Sequence, residues 1–282
     1  MRKMLAAFDG LKFSASTLDY AIWIAKDNNA HLVGLFLRDL AYHSYKIYDL
    51  VTEEGGGIDT RRKNLDKKDE KKREASILKF EKACRSAGIS YSFHKDRRIA
   101  IQEILRESLY ADLVIIDRTE TLSHYSEELP THFIRDMLPE TQCPVMLVPN
   151  TFKPVNKLVL LFDGEPSSVY AIKMLSYAMG ALKRYPAEVV TVNPIKQKTG
   201  KPRLPNSKLM KEFMQRHFPN AVFTALKGFP ETEIVNYLKE QKGIPLVVLG
   251  AYRRSRVSRW FRASMADVLM RELKFPLFIA HS

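Results

Sequence analysis

The chain has 282 residues, 45% apolar and 27% charged, an ordinary globular make-up with room for roughly two cores. Its 14 Pro and 12 Gly exclude a fibrous or low-complexity chain, and no apolar run reaches the roughly 18 residues of a membrane span. The 45 Lys and Arg against 32 Asp and Glu leave a net charge of +13, which favours anionic partners without naming one.

In chain order, apolar runs bounded by turn residues predict strands, and longer amphipathic stretches predict helices. A strand is expected at Lys3–Phe8, a helix at Ala15–Lys26 and a strand at His31–Leu37. The segment 42–73 then reads as a basic insertion, a flexible loop around Gly55–Gly57 followed by the solvated start of a helix with mixed charges. The helix is amphipathic over Ala75–Ala87. A strand at Ser90–His94, a helix at Ile99–Ser108, a strand at Leu113–Ile116, a helix at Thr131–Leu138 and a strand at Val145–Val148 follow. A polar joint holding Pro154 leads to further strands at Leu158–Phe162, Glu188–Val192, Val222–Ala225, Leu246–Leu249 and Leu277–Ala280.

The two series are one pattern repeated. Leu5-Ala6-Ala7-Phe8-Asp9-Gly10 returns as Leu160-Leu161-Phe162-Asp163-Gly164 at an offset of 154 residues. Asp112–Asp117 matches Pro245–Gly250, and Cys143–Val148 matches Phe275–Ala280, so the first copy carries about 20 extra residues. The expected architecture is α/β: two doubly wound, mainly parallel five-stranded sheets in tandem, Rossmann-like, with helices on both faces. The first domain is expected over 1–150 and the second over 155–282. The final strands of the copies, otherwise open edges, are the expected junction of an intramolecular pseudo-dimer. Ligands of such sheets sit beyond the carboxyl ends of the strands, where Asp9-Gly10 and Asp163-Gly164 stand.

These residues resemble the universal stress protein family, in its tandem two-domain form. The family pattern opens on a strand ending in Asp-Gly-Ser. It closes on a strand leading to Gly, two residues, Gly, nine residues and Gly-Ser, before a helix and a last strand. The resemblance implies an ATP site in which the Asp accepts from adenine, a Val ends the second strand, and the glycines let backbone amides reach phosphate. In the second copy Asp163, Gly164, Val192 and Gly250 match, while Glu165, Arg253 and Ala263 replace Ser, Gly and Gly, with Ser264 retained. By this resemblance these residues are expected to form a degenerate nucleotide or phosphate-type anion site. In the first copy Asp117, Glu120 and Pro130 stand at the glycine positions before Thr131, which puts carboxylates where a triphosphate would lie and removes an amide. ATP is therefore expected in the second domain only, if at all, and no cofactor is required.

Each residue also has a plain structural reading. Asp9 and Asp163 suit the turn after a strand, and Ser14, Ser168, Thr131 and Ser264 suit helix N-caps. Five arginines between Tyr252 and Ala263 suit polyanion contact, or pairing with the acidic loop Glu120–Glu128 of the other copy. No nucleophile elbow, Walker lysine or metal-type Cys/His spacing is present. With no signal-peptide core after Met1, the chain is expected to be a cytoplasmic binding module of stress adaptation, not bound to a membrane. An ATP-binding or weakly ATP-hydrolysing switch through the second domain is the alternative. A further alternative is an electrostatic binder of nucleic acid or of an acidic partner, though no nucleic-acid motif accompanies the basic residues.

Overall fold

The computed structural model describes residues 2–38, 43, 45, 58–95, 99–193, 204–251 and 264–281. The first half of the chain supplies β1 (Lys3–Asp9), α1 (Ala15–Asn28), β2 (His31–Leu37), α2 (Ile58–Ala87), β3 (Tyr91–Lys95), α3 (Ala100–Ser108), β4 (Leu113–Asp117), α4 (His132–Met137) and β5 (Val145–Val148). The second half supplies β6 (Lys157–Leu161), α5 (Pro166–Ala178), a short 3-10 helix (Gly180–Arg184), β7 (Ala187–Asn193), α6 (Ser207–His217), β8 (Val222–Lys227), α7 (Pro230–Lys239), β9 (Pro245–Gly250), α8 (Met265–Glu272) and β10 (Leu277–Ala280).

The expected five-stranded sheets are both present, joined edge to edge as one ten-stranded sheet in the order β3-β2-β1-β4-β5-β10-β9-β6-β7-β8. The pairing is parallel within each half. It turns antiparallel where β5 meets β10, with Leu277 opposite Leu147, Phe278 opposite Met146 and Ile279 opposite Val145. Strands β1, β4, β5 and β10 are buried on both faces, as continuous apolar runs in a covered parallel sheet should be. Two cores result, one per face, and each runs across the junction. One joins Phe8, Ile24 and Phe80 to Leu160, Leu175 and Met210; the other joins Leu5, Val33 and Ile134 to Val159, Leu238 and Leu269. The halves are also tied above the sheet. Asp27 meets Arg184 at 2.5 Å, the Tyr20 hydroxyl donates to Lys153 O at 3.0 Å, and Trp23 packs edge-on to Tyr185.

Local chemistry explains several helix ends. Ser14 caps α1 by accepting from Thr17 N, and Asn29 closes that helix in the left-handed region at φ 47°. Thr131 caps α4 through Ile134 N, and Ser264 caps α8 in a reciprocal box with Asp267. Ser168 departs from its expected role. The N-cap of α5 is Glu165, with Pro166 in the first turn, because the fixed φ of proline starts the helix earlier. Ser168 lies inside the helix, its hydroxyl donating to Glu165 O at 2.8 Å.

The solvated reading of the charged run holds for its outer residues and needs correction at Leu65, Asp69 and Arg73. From Ile58 onward it belongs to one 30-residue helix, α2, whose inner face includes Leu65, Asp69, Arg73 and Ile77. Asp69 and Arg73 are 4% and 8% exposed: Arg73 packs on Gly10 in the turn after β1, whose carbonyl oxygen also accepts from Ser76 Oγ, and Asp69 faces His43. The segment around Gly55–Gly57 lies outside the described residues.

Candidate functional site

In each half the strand order reverses between the first and fourth strands, which opens a switch point at their carboxyl ends. In the second half this is a cleft of about 210 Å³ between the ends of β6, β7 and β9. Asp163, Val192 and Gly250, at three distant places in the sequence, all line it, with Ser168 beside them. Its walls are otherwise apolar, built from Leu161, Val190, Ile234, Leu249 and Met265. Asp163 Oδ1 accepts from Glu165 N at 2.9 Å, so the carboxylate orders the turn as well as facing the cleft.

Gly164 does not line this cleft. It takes φ +89° in the turn after β6, and lines a neighbouring apolar groove with Phe162, Leu209 and Phe213. Gly250 has a packing reason to be glycine. A Cβ there would lie 2.3 Å from the carbonyl carbon of Ser167 and 2.7 Å from Ser168 N, a distance that real side chains do not reach. Ser264 serves as the cap of α8. Arg253, Ala263 and the remaining arginines of that loop lie outside the described residues.

The first half puts different chemistry at the same place. Asp117 takes the position of Gly250 at the end of the fourth strand, where its Oδ2 accepts from Ser14 Oγ at 3.0 Å and its Oδ1 from Thr119 N at 2.9 Å. Glu120 is 8% exposed, and its Oε1 accepts from Thr121 N at 3.0 Å and Leu122 N at 2.9 Å. Burial, reinforced by the Asp9 and Asp117 carboxylates, pushes its carboxyl up to about 7. Leu122, at φ 50°, is drawn into the core on that face of the sheet. Lys12 Nζ donates to Ser123 O, pinning this loop to the turn after β1. Glu127, part of the acidic loop, is engaged within the same half by His132, at 2.6 Å from its amide and 2.8 Å from its ring.

Across the turn, Arg73 of α2 leans on Gly10: a Cβ at Gly10 would stand 3.2 Å from Arg73 Cγ. Burial lowers the pKa of this guanidinium and the nearby Arg38 adds to the effect, while Asp9 and Asp69 oppose it. Arg73 and Glu120 are the residues that sequence reasoning missed as buried groups. A signal was present in the spacing Leu65, Asp69, Arg73, Ser76, Phe80, which keeps one helical face despite its mixed polarity. Leu11 N donates to Asp9 Oδ1 at 2.8 Å, matching the turn role read for that residue.

Among the described residues no group of three His, Cys, Asp or Glu is placed to hold a metal ion. Burial pushes the thiols of Cys84 and Cys143 up to about 12, which leaves both as neutral packing groups. No described helix is long and apolar enough to cross a membrane.

A three-layer α/β repeat with its clefts at the switch points is the class this chain belongs to by fold, and solved structures share it. The chain is similar over 99% of its length, and 98% of the other's, to a universal stress protein from Archaeoglobus fulgidus (TM-score 0.69, 17% identity). It is similar over its whole length, and 93% of the other's, to a Pseudomonas aeruginosa protein described as a universal stress protein (TM-score 0.61, 15% identity). A functionally unknown protein of Pseudomonas aeruginosa matches at a TM-score of 0.61 and 14% identity, with coverage of 100% and 92%. The chain thus has the tandem fold of the universal stress proteins, complete in both halves. No family model matches the sequence, and no curated protein does.

Proposed function

We propose that the chain is a tandem binding module of the universal stress type, acting in stress adaptation in the cytoplasm, and that its ligand site is the cleft of the second half. The observation that carries this reading is the convergence of Asp163, Val192 and Gly250 on one cleft. An ionised Asp accepts from an exocyclic amine, and the apolar walls suit the faces of a purine. At about 210 Å³ the cleft is smaller than the roughly 300–1,000 Å³ that encloses a drug-sized ligand, so it suits the base and little more. Arg253 and Ala263 replace the glycines whose amides would meet phosphate, which makes the site weak for ATP. The role proposed for the site is binding.

Calorimetry on the full chain tests this reading. ATP is expected to bind with a Kd of roughly 0.1–1 mM, and Asp163→Ala should remove the signal. Binding unaffected by Asp163→Ala, or no binding of ATP or adenosine at all, overturns the assignment.

A further inference from the structure

The inner face of α2 runs from Leu65 through Asp69 and Arg73 to Phe80 and Cys84, so the opposite face is open along its length. Lys67, Lys68, Lys71 and Lys82 are exposed there, and at 1.5 Å per residue they span about 22 Å. Between residues 63 and 85 the one exposed acid is Glu74. Of the other acids along this stretch Asp69 is buried, while Asp66, Glu70 and Glu81 are partly exposed and flank the lysines on one side, Asp66 Oδ1 accepting from the Tyr45 hydroxyl at 2.6 Å and Glu70 standing 3.8 Å from Arg38. One helix face therefore keeps a concentrated positive charge, on a chain whose net charge is +13.

We infer that the exposed lysine face of α2 docks on the phosphate backbone of duplex DNA, recognising charge and not sequence. An exposed helix about 10–12 Å across matches a major groove about 12 Å wide. Lysine offers mobile point charges, suited to sequence-independent phosphate contact. The face lacks what other anionic partners would use. Its one exposed large apolar residue over this stretch is Leu78, too little to anchor in a lipid surface or to form the apolar centre of a protein interface.

The test is binding of the full chain to DNA duplexes of unrelated sequence across a salt series. Four phosphate contacts give a slope of about −4 in log K against log salt, at about −0.9 per contact. The triple variant Lys67→Glu, Lys71→Glu, Lys82→Glu should flatten the slope by about three and weaken binding more than tenfold at low salt. The milder Lys→Gln triple should follow in the same direction. A control triple on α6, Lys208→Glu, Lys211→Glu, Arg216→Glu, changes net charge equally on the corresponding exposed helix of the second half. It should stay within about threefold of the wild type. Equal losses in the two triples, duplex binding untouched by the α2 reversal, or tighter binding to poly-glutamate or anionic vesicles at the same salt each overturn the inference.

Discussion

Gly250 ends β9 flush against Ser167 in the first turn of α5, where a Cβ would lie 2.3 Å from the Ser167 carbonyl carbon. The contact follows from where the helices start. In the first half α1 begins at Ala15, six residues after Asp9; in the second, α5 begins at Pro166, three residues after Asp163. The additional turn of α5 takes up space that the first half leaves to the Asp117 side chain. Gly250→Ala should therefore destabilise the fold by about 1–3 kcal/mol through overpacking, read as a lower urea midpoint with an unchanged slope. An unchanged midpoint would show that α5 can retreat without cost.

The same difference in helix start separates two serines. Ser14 accepts from Thr17 N at 3.2 Å and donates to Asp117 at 3.0 Å, so Ser14→Ala should cost about 1 kcal/mol. Among the described residues the Ser168 hydroxyl makes only a local bond inside its helix, and Ser168→Ala should cost less than about 0.5 kcal/mol. Equal losses in parallel denaturation curves would restore the capping role to Ser168.

Glu120 makes stability fall with rising pH. Its carboxyl is held at about 7 in the fold and near 4.3 in the unfolded chain, so between those values the folded state binds more protons. The stabilisation is fully present below about pH 4 and is lost as pH rises through 7. Glu120→Gln keeps an acceptor for Thr121 N and Leu122 N and removes the titration. The variant should exceed the wild type by about 3 kcal/mol at pH 8 and match it near pH 4. Urea unfolding at both values measures this, and parallel pH profiles would show that Glu120 ionises normally.

Because both cores cross the β5–β10 junction, the halves should unfold together. In a Trp260→Phe background, which leaves one of the chain's two tryptophans, Trp23 against Tyr185 of the other half reports on the junction by fluorescence, and circular dichroism reports on the whole chain. Coincident transitions are expected in both. Phe278→Ala, which deletes a fully buried ring at the junction, should cost about 3–5 kcal/mol and move both transitions together. Arg184→Ala breaks a half-exposed ion pair and should cost no more than about 1 kcal/mol. A fluorescence transition preceding the dichroism one would mean that the halves are independent.

The strands were legible in the sequence because a doubly covered strand has to be apolar throughout, and Lys3–Phe8 or Leu113–Ile116 leave little else to read. The convergence of Asp163, Val192 and Gly250 could be anticipated, since strand ends in a parallel sheet share one edge. The helical start of α2 was legible too, but the burial of Asp69 and Arg73 left only their spacing as a mark, because charged residues interrupt the apolar periodicity of that face. The raised pKa of Glu120 was equally hidden: it follows from burial in the fold and from the carboxylate of Asp9, more than a hundred residues away.

By itself the sequence determined the repeat, the alternation of strand and helix, and the residue types at each switch point, all of which are written in local periodicity and spacing. Only the tertiary structure decided that the two sheets share one hydrogen-bonded seam, that α2 lays a lysine face outward and Arg73 inward, and that Gly250 answers to the backbone of α5. Those features arise between segments far apart in the chain, and a residue's neighbours in space leave no mark on its neighbours in sequence.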